Sequence, residues 1–107
     1  MGEIVIQRDE RNRVLGLTSR GMVEGTLATT SAFHFLRAAV ASMTKYLHVS
    51  PDFSVGEEIY LGVKRSDLHL NREIDAIMET LVMGLKILAE EYPDDLVVHE
   101  ATIGIQV

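Results

Sequence analysis

The chain has 107 residues, with 10 Lys+Arg, 16 Asp+Glu, 4 His and no cysteine. That length fits one domain, residues 1–107, and folding should bury roughly 65% of the surface the unfolded chain exposes. A composition of 47% hydrophobic and 24% charged residues excludes wholesale disorder. The missing cysteine excludes disulfides, thiolate nucleophiles, iron–sulfur clusters and Cys-based zinc sites.

The net charge of −6 argues against direct nucleic-acid binding, which depends on neutralising phosphates. Residues 1–50 hold 6 basic and 4 acidic side chains, whereas residues 51–107 hold 4 and 12. The acidic second half suits a basic partner, and equally a solvated helix face. The start, Met1 to Arg8, is apolar for only three residues and does not read as a signal peptide. Charges interrupt every stretch short of 18 apolar residues, so no membrane contact and a cytoplasmic location are the expectation.

In chain order, Ile4-Val5-Ile6 and Val14 to Thr18 predict two strands joined by the polar loop Arg8 to Arg13. Gly21 to Ser31 has no strong period and predicts a loop of about ten residues, long enough to be functional. Phe33, Leu36, Val40, Met43 and Leu47 then fall on one stripe of a first helix, capped by Thr30 or Ser31 and stopped by Pro51. Phe53-Ser54-Val55 and Glu58 to Val63 predict two short strands around Gly56-Glu57.

A second helix should start near Asn71, with Glu73 and Asp75 at its positive end. Ile74, Ile77, Leu81, Leu85, Leu88 and Tyr92 form its core stripe, and Tyr92-Pro93 closes it. Leu96 to Val107 predicts a last strand, with Val97, Ala101, Ile103, Ile105 and Val107 inward and Glu100, Thr102 and Gln106 outward. The order ββ-α-ββ-α-β predicts an α+β two-layer sandwich, two helices packed on one mixed sheet.

Motif searches mostly exclude. Gly16 to Gly21 resembles a phosphate loop, but Met22 stands where that loop needs Lys. His34, His48, His69 and His99 are unpaired at helical spacing, so neither a metal nor another cofactor is expected. A Ser–His–Asp triad through Ser19, Ser31 or Ser42 has no supporting sequence context. Gly84 interrupts the second helix at a cost of about 1 kcal/mol relative to Ala, which predicts close packing against the first helix or a second subunit.

From Ile77 to Pro93, with its Gly84-Leu85-Lys86 run and its Glu91-Tyr92-Pro93 end, the chain resembles the second helix of the ribosomal-processing cysteine protease (Prp, YsxB-like) family. Element order and length are also similar, over about residues 4–104. The resemblance implies a small two-layer domain, a homodimer, and a ribosomal protein or peptide as partner. Catalytic members use a Cys at the start of the first helix and a His after a Gly, and a helix N-terminus with an adjacent His lowers a thiol pKa.

This chain departs at both positions. The family's Gly-His becomes Gly21-Met22, and its Cys-Ala-Ala-Val falls on Arg37-Ala38-Ala39-Val40, with His34 as a neighbour. With no Cys in the chain, cysteine proteolysis is excluded. The reading is a non-catalytic, Prp-like binding or regulatory module. Its candidate site residues are Gly21, Met22, His34 and Arg37, with Arg37 placed to hold an anion near the helix start and Met22 as an adaptable apolar wall. The alternative is a hydrolase of another class, using Arg37 with a His or Ser in the same cleft.

Overall fold

The structure, a computed structural model, describes residues 1–65 and 67–103. β1 (Gly2–Arg8) and β2 (Val14–Arg20) form an antiparallel hairpin. Its polar loop is held by Asp9, whose Oδ1 accepts from the amides of Arg11 and Arg13, both at 2.9 Å. α1 (Leu27–Ala41) follows, then β3 (Asp52–Val55), β4 (Ile59–Gly62), α2 (Asn71–Glu91) and β5 (Leu96–Thr102).

The five strands lie in the order β3-β4-β2-β1-β5, all antiparallel except the β1–β5 pair. Both helices contribute to one apolar core with the sheet. The α+β architecture and the element order therefore match the expectation.

The start of α1 differs from expectation. Thr26, rather than Thr30 or Ser31, caps it: Thr26 Oγ1 accepts from the Thr29 amide at 3.2 Å. The preceding loop shrinks to residues 21–26. The buried stripe is Ala28, Ala32, Leu36, Ala39 and Met43, while Phe33, Val40 and Leu47 flank it, half-buried. Alanine carries little periodicity signal, so the larger flanking residues suggested a stripe rotated toward them. After Ala41 the helix widens into one π turn, Ser42–Tyr46, in which the Leu47 amide donates to Ser42 O at 3.4 Å.

α2 begins at Asn71 as expected, after a single 3-10 turn at Leu68–Leu70, and ends before Tyr92. Ile74, Met78, Leu81, Val82, Leu85 and Leu88 are buried on its core face, with Ile77 and Tyr92 half-buried beside them. Each fully buried Leu or Ile contributes roughly 1.5–3 kcal/mol. Gly84 meets α1 as predicted: a Cβ there would stand 3.0 Å from Phe35 Cδ2 and 3.1 Å from Cε2. The Phe35 ring lies against the bare backbone of α2.

β5 presents the face opposite to the expected one. In its parallel register Leu96, Val98 and Glu100 pair with Gly2, Ile4 and Ile6. Directly paired residues point to the same side of a sheet, so the even-numbered residues face the helices. Leu96 is buried, and Ala101 and Ile103 are exposed. The expectation for Ile105, Gln106 and Val107 lies outside the described residues.

The reversal has an electrostatic cause. Arg8, only 9% exposed, donates from Nη1 and Nη2 to both Glu79 oxygens at 2.8 Å and from Nε to Glu100 at 2.9 Å. Turning Glu100 outward would remove one of the acceptors of a buried guanidinium. Hydrogen bonding to Arg8 is the largest influence on both carboxyls and holds them below the usual carboxylate range, against the opposing effect of burial. The guanidinium is raised further by the bond to Glu79, so Arg8 stays charged at any accessible pH.

Candidate functional site

An opening with both polar and apolar walls lies where β2, the N-terminus of α1 and the β3–β4 turn converge. It has a volume of about 520 Å³. Gly21 turns the chain out of β2 with φ +70, and a Cβ there would come within 2.7 Å of Met1 O, so only glycine fits. The chain then passes Met22 and Glu24 along one wall before Thr26 starts α1. The first turns of α1 add Thr29, Thr30, Phe33 and His34.

The opposite wall is the β3–β4 turn, with Val55, Gly56 and Glu57, closed by the Gly56 amide donating to Glu58 O at 3.2 Å. Ser19 and Ile59 form the floor. Phe33 is braced from behind by Phe53, with ring centroids 6.4 Å apart. Met22 is half-buried against the core, which gives the cleft one apolar, deformable side.

Of the four residues singled out from the sequence, Met22 and His34 line this cleft together, and Gly21 shapes its approach. Arg37 does not line it; it is exposed on α1 and has no ion-pair partner among the described residues. The reason is the earlier helix start. Counting from Leu27 rather than from Ser31, Arg37 sits about 15 Å along the helix axis, in its third turn. It is therefore too far from the N-terminus to add to an anion site there.

Ser19, a candidate nucleophile in the sequence, occupies an inward position of β2 two residues after Leu17. Ser19 is 3% exposed, and its Oγ has no hydrogen-bond partner.

His48 has φ +57 at the end of the π turn, His69 lies in the 3-10 turn, and His99 faces Glu3 at 3.8 Å on the side of the sheet away from the helices. Among the described residues no three His, Asp or Glu side chains are grouped closely enough to hold a metal ion. No helix among them is long and apolar enough to cross a membrane.

A second concavity of about 540 Å³ runs between α1 and α2, lined by Phe35, Ala38, Ile77, Thr80 and Gly84 among others. It is almost wholly apolar and carries no charged side chain.

With its mixed sheet ordered β3-β4-β2-β1-β5 under two helices, the chain has a Prp-like fold. In particular, the chain is similar to SMU.848 from Streptococcus mutans, with TM-score 0.84, 12% identity and 96% of each chain covered. It is also similar to the essential ribosomal processing protease Prp from S. aureus, solved in complex with a substrate peptide. There the TM-score is 0.82 and the identity 16%, over 94% of this chain and all of that one. A hypothetical protein from Staphylococcus aureus matches with TM-score 0.76 and 17% identity over 94% of this chain. No family model matches the chain, and no curated protein matches it in sequence. At these identities the likeness is one of fold.

Proposed function

We propose that this chain is a non-catalytic, Prp-like binding module that holds a peptide segment in the cleft between the 21–26 loop, α1 and the β3–β4 turn. The observation that carries the reading is a cleft of about 520 Å³ in a fold whose S. aureus neighbour binds a substrate peptide, in a chain without any cysteine. By analogy with that protease, the segment belongs to a ribosomal protein or its extension, and the module works in the cytoplasm. Fold likeness alone does not transmit function; the support comes from the cleft itself and from the absence of any cysteine in the chain.

The hydrolase alternative needs a base within hydrogen-bond reach of a nucleophile. Ser19 Oγ has no partner, so His34 does not activate it in this geometry. Arg37, the other residue that reading relied on, is outside the cleft. Binding without chemistry is the simpler account.

A homodimer is part of the proposal. Exposed Ala76, Thr80, Met83 and Ile87 form an uncharged stripe on α2 beside the groove that holds Phe35. Knob and groove on one face are what a two-fold, self-complementary interface uses.

The test is a peptide array covering the ribosomal proteins of the source cell, probed with the purified protein and read for both retention and cleavage. Intact, retained peptides whose binding is lost in Met22→Arg support the reading. Cleaved peptides would overturn the non-catalytic part, and an array with no retained peptide would overturn the whole.

A further inference from the structure

We infer that the cleft selects a peptide carrying a basic side chain, seated between Glu24 and Glu57 and hydrogen-bonded from below by Ser19 Oγ. The inference rests on the peptide-binding reading of the same cleft and adds its specificity.

Glu24 and Glu57 approach from opposite walls, one from the 21–26 loop and one from the β3–β4 turn. Both are exposed, and neither has an ion-pair partner among the described residues. Among the described residues no Lys or Arg lines the cleft, and His34 is the one histidine there. The N-terminus of α1 would by itself favour an anion, since it carries about half a positive charge. Two full carboxylate charges outweigh it, so the cleft presents a net negative field.

The second observation is Ser19. Across the sheet its inward-facing row reads Val98, Ile4, Ser19, Ile59 and Val55, by register. Ser19 is thus the one hydroxyl in an apolar row, 97% removed from solvent and unpartnered, at the cleft floor. A buried hydroxyl left unsatisfied is destabilising, and a ligand amide or carbonyl that reaches it removes that cost. A hydroxyl can both donate and accept, so it fits a peptide backbone in either orientation. Met22 and Phe33 supply the apolar contact alongside.

The probes are hexapeptide mixtures, otherwise randomised, in which one position is fixed as Lys, Arg, Gln or Glu. Fluorescence polarisation reads their binding to the wild type, to Ser19→Ala and to the double variant Glu24→Gln/Glu57→Gln. Exposed ion pairs are weak, so the wild type should prefer the Lys and Arg mixtures over Gln by about fivefold, with Glu weakest. The double variant should reduce that preference to about one while still binding the Gln mixture.

Ser19→Ala should weaken all four mixtures by a similar factor, about fivefold, without lowering the melting temperature. Equal binding of Lys, Gln and Glu mixtures to the wild type would overturn the charge selection and leave peptide binding standing. Unchanged binding by Ser19→Ala would overturn the role of the hydroxyl. Binding of none of the mixtures would overturn both this inference and the reading beneath it.

Discussion

Gly84 is the position where a single substitution asks most of the helix–helix contact. Replacing it by leucine displaces the Phe35 ring, because even a Cβ would already stand 3.0 Å from that ring. Phe35 is 39% exposed, so about three-fifths of it is out of water. At the usual value for a buried Phe that contact contributes about 1.5 kcal/mol. Leucine returns about 0.8 kcal/mol through its better helix propensity.

The expected net loss is therefore about 0.7 kcal/mol, a fall in Tm of roughly 3–6 °C for a domain of this size. Gly84→Ala is expected to do the opposite. Its Cβ asks the ring to move only a few tenths of an ångström, and the exposed edge of Phe35 has room to give. A gain of about 0.5 kcal/mol and a rise of roughly 2–4 °C should follow. The decisive assay is thermal unfolding by circular dichroism on Gly84→Leu, Phe35→Ala and the double variant, with mass in solution measured alongside. Phe35→Ala should cost about 1.5 kcal/mol in the wild type and almost nothing beside Leu, since the contact is already gone. A Gly84→Leu protein with unchanged melting temperature and unchanged mass would refute the reasoning.

Three further outcomes follow from the charges and the cap. Arg8→Met should destabilise by about 2 kcal/mol, less than for a fully buried pair because Glu79 and Glu100 keep access to water; a shift in urea midpoint below a quarter of that would contradict it. Because Glu79 and Glu100 titrate below their ordinary range when folded, their stabilisation is complete above about pH 5 and declines as pH falls through the depressed values. Urea midpoints at pH 7 and about pH 3 should show a smaller acid loss in Arg8→Met than in the wild type, and equal losses would count against the network. Thr26→Ala should cost about 1 kcal/mol through loss of the α1 cap, whereas Thr30→Ala should cost much less, as read by thermal melts.

Pattern at the level of elements was strongly encoded. Alternating Ile4 and Ile6, the Ile74 to Leu88 stripe and the Tyr92-Pro93 stop each agree between local preference and packing, so element order and layer count were readable. What was hidden depends on long-range partners. The inward face of β5 is decided by Arg8, 92 residues away from Glu100, and Val97-Val98 gives alternation no preference of its own. The start of α1 was masked by an alanine stripe. Met22 and His34, which the resemblance singles out, both line the cleft, whereas Arg37 lies outside it because α1 starts earlier than its larger apolar residues suggest. Ser19 was visible only as one serine among several, because an unsatisfied hydroxyl is a property of its neighbours.

The parallel pairing of β1 with β5 has a consequence for synthesis. Gly2 is registered against Leu96, so β1 leaves the ribosome long before the strand it pairs with. Until Leu96–Thr102 emerges, Ile4 and Ile6 lie beside an open strand edge, and the Arg8 guanidinium lacks Glu100. Folding then requires closure of a loop spanning almost the whole chain, which slows it and favours an all-or-none transition. Ribosome-bound chains arrested before Leu96 should stay sensitive to protease, and those extended through β5 and clear of the exit tunnel should become resistant.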